Sequence, residues 1–412
     1  MPDTALVGPT LAEFEAARER VSHAIKVTPM ESSSYLTEVL GTPVFLKCEN
    51  LQRTGSYKIR GAYNRLAKLT DEEKTRGVVA ASAGNHAQGV ALAARALGIK
   101  ATIFMPVGVA LPKLQATRDY GAEVVLRGHT VDEPLRAAAE FARTTGAVLI
   151  HPFDHADVVA GQGTLGLEIL DQVPNVDTVI VPIGGGGLIS GVASAIKQRC
   201  ALDGRTVRII GVQAANAAAY PVSLEKGVPS EITVLPTIAD GIAVSKPGIL
   251  NFEIVRDMVD EVVTVTDGDT AQALLMLLER AKLVVEPAGA VGVGAILSGQ
   301  IKNSGTTVAI LSGGNIDPMM MERVISHGLA ASERYLKLRI PLPDRPGQLA
   351  RTAAIIAESN ANVVEVLHTR HGSGMQISQV ELELHIETRG PEHAEQVLAR
   401  LRDEGYEPRI AF

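Results

Sequence analysis

A chain of 412 residues that is 46% hydrophobic and 21% charged holds enough apolar material for more than one buried core without covalent staples. Its net charge of −7, its 3% aromatic content and its lack of tryptophan offer neither a basic stripe nor a stacking platform, which excludes nucleic acid as a partner class. Two cysteines, Cys48 and Cys200, rule out a disulfide framework and a four-thiolate metal site.

The first ten residues lack a basic stretch followed by an apolar run, and no apolar run is long enough for a bilayer, so a soluble, cytoplasmic protein is expected. Apolar runs then alternate with alanine-rich amphipathic stretches. The pattern predicts strand 78–81, helix 87–97, strand 101–104, helix 111–120, strand 124–126 and helix 131–144. Strand 178–183, helix 188–199 and strand 207–212 continue it. Such alternation implies an α/β fold with a mostly parallel sheet covered on both faces, and a ligand crevice at the carboxyl ends of the strands. After residues 319–329 comes a short polar joint at 330–334. Beyond it the order is strand 336–342, helix 348–359, strand 363–367, strand 377–386, helix 391–404 and strand 408–411, the β-α-β-β-α-β order of a ferredoxin-like α+β domain. The expected division is therefore 1–329 and 330–412, with a smaller subdomain at about 76–155 inside the first part.

The loops that follow strands carry the chemistry. Gly184, Gly185, Gly186 and Gly187 close strand 178–183 and open a helix. Four glycines surrender backbone entropy on ordering, and the natural return is close approach of backbone N–H groups to a phosphate at a helix start. No Gly-Lys-Ser/Thr follows, and Ile189 stands where a dinucleotide fingerprint needs its third glycine, so neither a P-loop nor a dinucleotide site fits. A tight turn that merely packs is the plain alternative. Lys58 lies in Thr54-Gly55-Ser56-Tyr57-Lys58-Ile59-Arg60-Gly61, where apolar neighbours suit a half-buried nucleophilic amine as well as an ordinary surface lysine. Ser82-Ala83-Gly84-Asn85-His86 enters a helix whose N–H groups suit a carboxylate, although simple capping by Ser82 or Asn85 is equally compatible. Ser312 ends another strand, ahead of Gly313 and Gly314, where a hydroxyl suits an uncharged ring nitrogen or an ordinary turn. His151, Asp154 and His155 read as structural, and Asp71-Glu72-Glu73 as a solvated helix start.

Together these stretches resemble the fold type II pyridoxal-phosphate enzymes, with the two-subdomain tryptophan synthase β-like catalytic region, and within them most closely the threonine ammonia-lyase (threonine dehydratase) family. Glu49-Asn50-Leu51-Gln52, Gly161-Gln162-Gly163-Thr164, Ala239-Asp240-Gly241 and Glu286-Pro287-Ala288-Gly289 extend the likeness over about residues 11–328. Asp344-Arg345-Pro346-Gly347 and Asn362 make the tail similar to a single ACT domain. The resemblance implies a covalent link between Lys58 and pyridoxal 5′-phosphate, with Tyr57 at the ring where the family usually has Phe. It implies Asn85 at the ring oxygen, Gly184 to Gly187 around the phosphate and Ser312 at the pyridine nitrogen. Ser82, Ala83, Asn85 and His86 are implied at the substrate carboxylate. The implied reaction is α,β-elimination of L-threonine, and of L-serine, in a homodimer or homotetramer that takes isoleucine as inhibitor and valine as its antagonist at residues 344–349 and 362–364.

Racemases on the same scaffold carry Ser immediately before Gly-Asn-His; Ala83 stands there, so elimination without racemisation is expected. Gln213 and Ala219 replace the acidic metal ligands of those relatives, so no dedicated divalent site is expected. The alternatives are a serine racemase or serine dehydratase-like enzyme, and a catalytically silent scaffold that senses amino acids.

Overall fold

The computed structural model describes residues 8–129, 132–370 and 379–411. The chain forms two compact units, Met1–Pro318 and Met319–Phe412. The expected helix 131–144 and strand 377–386 begin on residues outside those described.

In the first unit, β1 (Met30–Ser32) and β2 (Val44–Lys47) precede β3 (Val78–Ala81), β4 (Ala101–Met105), β5 (Glu123–Leu126) and β6 (Val148–Leu149). β7 (Thr178–Pro182), β8 (Arg208–Ala214), β9 (Glu261–Val265) and β10 (Thr307–Ile310) follow. They build a six-stranded sheet, β1-β2-β10-β7-β8-β9, and a four-stranded sheet, β5-β4-β3-β6. Every pairing is parallel except β1 with β2. β7 and β10 are buried along their whole length, and their apolar runs Val179–Val181 and Val308–Ile310 suit a sheet covered on both faces. Val179, Val181, Ile189, Val192, Val308 and Ile310 make the centre of the larger core. The smaller sheet has its own, built from Val78, Ala80, Val90, Ile103 and Met105.

The helix Ala156–Gln172 is apolar nearly all round and is buried over most of its length, so it shows no one-sided periodicity in the sequence. Its glycines explain its place. A Cβ on Gly161 would lie 2.5 Å from the Arg60 carbonyl, and one on Gly191 would lie 2.5 Å from the Gly163 nitrogen. Backbone-to-backbone packing thus joins Ala156–Gln172 to the helix Lys58–Ala67 on one side and to Gly187–Leu202 on the other. The loops after β2, β3, β7 and β10 hold the residues singled out above.

The second unit has β11 (Tyr335–Pro343), β12 (Asn362–Thr369), β13 (Gln379–Glu387) and β14 (Arg409–Ala411) in the order β12-β13-β11-β14. Along β11, Leu336, Leu338, Ile340 and Leu342 point to a core shared with Ile355, Val397 and Leu401, while Lys337 and Arg339 face outward. This is the expected β-α-β-β-α-β unit. A helix, Pro318–Ala331, runs into the joint read at 330–334, and the compact units part at Pro318/Met319. Among the described residues no helix is long and apolar enough to cross a membrane.

Candidate active site

Lys58 opens the helix Lys58–Ala67 and is half-buried. Its Nζ donates to the Pro152 carbonyl at 3.1 Å and lies 5.2 Å from the centre of the Tyr57 ring. The strand end that carries Ser312 abuts this turn. Tyr57 N–H donates to the Ser312 carbonyl at 3.2 Å, and Ser56 pairs with Gly313. Ser312 is buried beside them.

The four-glycine turn caps the helix Gly187–Leu202, and it has no room for side chains. Gly186 has φ +102, and a Cβ there would lie 1.9 Å from the Tyr220 hydroxyl oxygen. Cβ atoms on Gly185 and Gly187 would meet Phe153 at 2.4 and 2.8 Å. Pro152, which holds the Lys58 amine, and Phe153, which backs the glycines, are adjacent residues. One peptide unit therefore separates the surface under Lys58 from the surface under the glycine turn.

Asn85 begins the helix Asn85–Ala96, with its amide held from both ends. Nδ2 donates to Glu286 Oε1 at 2.6 Å, and Oδ1 accepts from Asn315 Nδ2 at 2.8 Å. Asn315 also donates to the Thr54 carbonyl at 2.7 Å, in the segment that leads to Lys58. Glu286 is buried, and burial together with the nearby Asp240 carboxylate pushes its carboxyl up to about 7. Gly313 leaves the space that this carboxyl occupies, since a Cβ there would lie 2.0 Å from Oε1. Ser82 Oγ accepts from the Gly84 N–H at 3.2 Å and shapes the loop. The His86 ring is buried against the Ile150 carbonyl at 2.9 Å, and burial with the neighbouring Lys58 charge pushes it down to about 3. It is a neutral ring, so what His86 offers an anion at the helix start is its backbone N–H.

A model of the family described as pyridoxal-phosphate dependent enzymes matches residues 21–313, and an ACT domain model matches residues 338–405. The L-threonine ammonia-lyase of Geobacter sulfurreducens is 48% identical over 394 residues, which cover 95% of this chain and 97% of that protein. The chain belongs to the pyridoxal-phosphate dependent enzymes, in the L-threonine ammonia-lyase family. Among solved structures, the processed form of threonine deaminase isoform 2 from Solanum lycopersicum superposes with a TM-score of 0.72 at 35% identity, covering 79% of this chain and 98% of that one. Maize serine racemase gives 0.72 at 37%, covering 79% and 99%.

The residues of this pyridoxal-phosphate enzyme fit its cofactor. The side-chain-free turn at a helix start is a cradle for a phosphate, because the first N–H groups of a helix have no partner within it. The Lys58 amine is one peptide unit from that turn, and the Asn85 amide and the buried Ser312 adjoin the Lys58 segment; an amine, an amide and a hydroxyl are the groups that suit an aldehyde, a ring oxygen and a ring nitrogen. His151, Asp154 and His155 serve the framework. His151 Nδ1 accepts from Asp154 N–H at 2.8 Å, and Asp154 accepts from Ile249 and Leu250 N–H at 2.9 and 3.1 Å. His155 Nδ1 accepts from Asp157 N–H at 3.1 Å at the start of Ala156–Gln172.

Two parts of this site went unassigned in the sequence. Glu286 was visible only as one letter of Glu-Pro-Ala-Gly; its signal is a lone acid before the wholly apolar helix Pro287–Leu297. Arg60 sits in the first turn of the Lys58 helix, fully buried. It donates to Glu49 Oε1 and Oε2 at 2.8 Å each and to Glu168 Oε2 at 2.9 Å. Lys47 Nζ donates to Glu168 Oε1 at 2.6 Å and completes a neutral set of two cations and two carboxylates.

Glu286 gives a pH signature. Its folded value lies above the ordinary carboxyl value of 4.5, so its contribution to stability is fully present below about 4.5 and is lost as pH rises through about 7. Melting temperatures of the cofactor-free chain and of Glu286→Gln, taken from pH 5 to 8, are expected to diverge. The parent should lose stability relative to the variant by about 3 kcal/mol across that range. Parallel profiles would reject the assignment.

Proposed function

We propose that this chain converts L-threonine to 2-oxobutanoate and ammonia, and L-serine to pyruvate and ammonia, by α,β-elimination. The observation that carries the reading is that Lys58 and the glycine turn meet at residues 152–153, while Ser312 adjoins the Lys58 turn through Tyr57 and Asn85 is tied to the segment leading to Lys58 through Asn315. The name of the 48% identical relative supports threonine as substrate. Gly184 to Gly187 would hold the cofactor phosphate, Asn85 the ring oxygen and Ser312 the ring nitrogen, with Tyr57 beside the ring and Lys58 as the attachment point. When bound, the cofactor supplies an electrophilic carbon and a conjugated ring that draws electrons from the α-carbon.

The chain's own groups do the rest. N–H groups from Ala83 to His86, with Ser82 shaping their loop, bind the substrate carboxylate at a helix start. Lys58 Nζ takes the α-proton, and the β-hydroxyl leaves with a proton as water. The enamine released from threonine tautomerises and is hydrolysed, so the water lost is regained and ammonia departs. The test is release of 2-oxo acid from L-threonine and L-serine, where no release from either would reject the reading.

The likeness to maize serine racemase raises racemisation as a second reading. A racemase needs a proton donor on the face of the α-carbon opposite Lys58. Ala83, with no transferable proton, stands where the racemase pattern has Ser. Chiral analysis after incubation with L-serine is expected to find pyruvate and only a trace of D-serine; substantial D-serine would reverse the assignment.

The ACT unit senses amino acids on this reading. Leu349 and Val364 are exposed apolar residues within 344–349 and 362–364, and β12 is an almost wholly exposed edge strand, which suits pairing with another copy in a dimer or tetramer. Isoleucine inhibits there and valine opposes it. Removal of Met319–Phe412 is expected to abolish the isoleucine response of 2-oxobutanoate release while activity persists. An unchanged response would move the effector site elsewhere.

A further inference from the structure

The carbonyl of Gly185 accepts from three separate donors: Gly248 N–H at 3.1 Å, Asn251 Nδ2 at 3.2 Å and the Tyr220 hydroxyl at 3.3 Å. Tyr220 and Asn251 are fully buried, and neither belongs to the reacting groups assigned above. Both are fixed from behind. The Tyr220 N–H donates to Gln213 Oε1 at 2.9 Å. Asn251 Nδ2 also donates to the Phe153 carbonyl at 3.1 Å, and the Asn251 carbonyl accepts from Ser190 Oγ at 3.3 Å. The donors come from the helix Ala219–Lys226 and from Ile249–Met258 with its N-cap Gly248.

A trans peptide is planar, and its C=O and N–H point in opposite directions. Once the Gly185 carbonyl is pulled toward Tyr220 and Asn251, the N–H of the same peptide, which belongs to Gly186, must point the other way. Gly186 is the N-cap of Gly187–Leu202, so that N–H has no place in the helix's own bonding. Three donors on the carbonyl also polarise the peptide and make its N–H a stronger donor. The positive φ of Gly186 is the backbone conformation that this orientation requires.

We infer that Tyr220 and Asn251 are positioning residues for phosphate capture, which turn the Gly185–Gly186 peptide so that its N–H faces the cofactor phosphate. This rests on the reading of Gly184 to Gly187 as the phosphate cradle. It goes beyond that reading by assigning the cradle's shape to two side chains that never touch the ligand. Tyr220 is buried, and burial raises its hydroxyl above the ordinary tyrosine range, so it is a neutral donor throughout the working pH range.

The test uses the full chain, freed of cofactor and reloaded separately with pyridoxal 5′-phosphate and with pyridoxal, which lacks the phosphate. Tyr220→Phe removes one donor with almost no change of shape, and Asn251→Ser shortens the second. Each variant is expected to bind the phosphorylated compound about three- to ten-fold more weakly, the usual effect of one neutral hydrogen bond. Its affinity for pyridoxal should be unchanged, and inorganic phosphate should compete less well than in the parent. Equal weakening of both compounds would overturn the inference, because it would report general damage. Unchanged binding of the phosphorylated compound by Tyr220→Phe would overturn it as well. Borohydride reduction of the loaded parent should fix the compound to Lys58; attachment at any other residue would overturn the reading of the site, and this inference with it.

Discussion

Lys58→Ala is expected to lower 2-oxobutanoate release from L-threonine by about 10⁴-fold, the upper end of what one positioned acid–base group contributes, because the same amine is also the cofactor's attachment point. The visible absorbance of the loaded chain should vanish with it. The fold should survive. The side chain is half-buried at a helix start and donates to the Pro152 carbonyl, so the stability change should be about 1 kcal/mol or less. A small primary amine added to the variant should restore part of the turnover, because it can occupy the space left beside Pro152 and carry the proton. Full activity in Lys58→Ala would remove the amine from the chemistry. Loss of activity with a collapsed melting temperature and no amine rescue would make Lys58 a framework residue.

What the sequence revealed follows from how local each signal is. The glycine turn was legible because four consecutive glycines are improbable unless backbone must come close to something, and the structure shows Phe153 and Tyr220 against them. The strands β3, β4, β7 and β10 were legible as apolar runs, or as the residues leading to a glycine loop. The β-α-β-β-α-β tail was legible because β11 alternates cleanly between core and solvent. Ala156–Gln172 was not, because a helix buried on all sides has no polar face to set its period, and its glycines argue against helix until their backbone partners are known. Asn85 was legible as a helix-start residue, but Glu286, 201 positions away, was not legible as its partner. The distance between them in sequence is closed by the loop after β10, where the Gly313 carbonyl accepts from the Glu286 N–H at 3.0 Å and Asn315 donates to Asn85.

The buried charges around Arg60 were the least legible of all, and they carry the second large expectation. Lys47, Glu49, Arg60 and Glu168 lie on four different elements, and any one of them in sequence is an ordinary surface residue. Brought together they are neutral as a set and nearly saturated. Thr28 Oγ1 donates to Glu49 Oε1 at 2.6 Å, and the Thr28 N–H donates to Glu168 Oε1 at 2.9 Å. Removing one member is therefore far worse than its share of the bonds, because it leaves a buried charge without compensation. Arg60→Met is expected to destabilise the chain by about 3–5 kcal/mol, a large part of the roughly 5–15 kcal/mol that holds an ordinary domain together. The pH dependence fixes the cause. Burial alone would raise the Glu168 carboxyl, but the Arg60 and Lys47 charges hold it below the ordinary value, so in the parent its contribution is present above about 4.5 and lost as the medium becomes more acid. Without Arg60 the two buried carboxylates face a single cation, and one of them must rise above its unfolded value. Its contribution is then present at low pH and lost as pH increases, the opposite sign. The stability gap between parent and Arg60→Met, measured by denaturant titration, should therefore be wider at pH 8 than at pH 5. A gap independent of pH would mean that the loss is one of packing alone. Replacing all four charged residues by apolar side chains of similar volume should recover much of the loss, since a buried ionic set and a well-packed apolar one are often equal in energy. That outcome would give the cluster the task of holding the first turn of the Lys58 helix against β2 and Ala156–Gln172 in one register, and kcat for L-threonine in the apolar variant would measure how much the chemistry depends on that register.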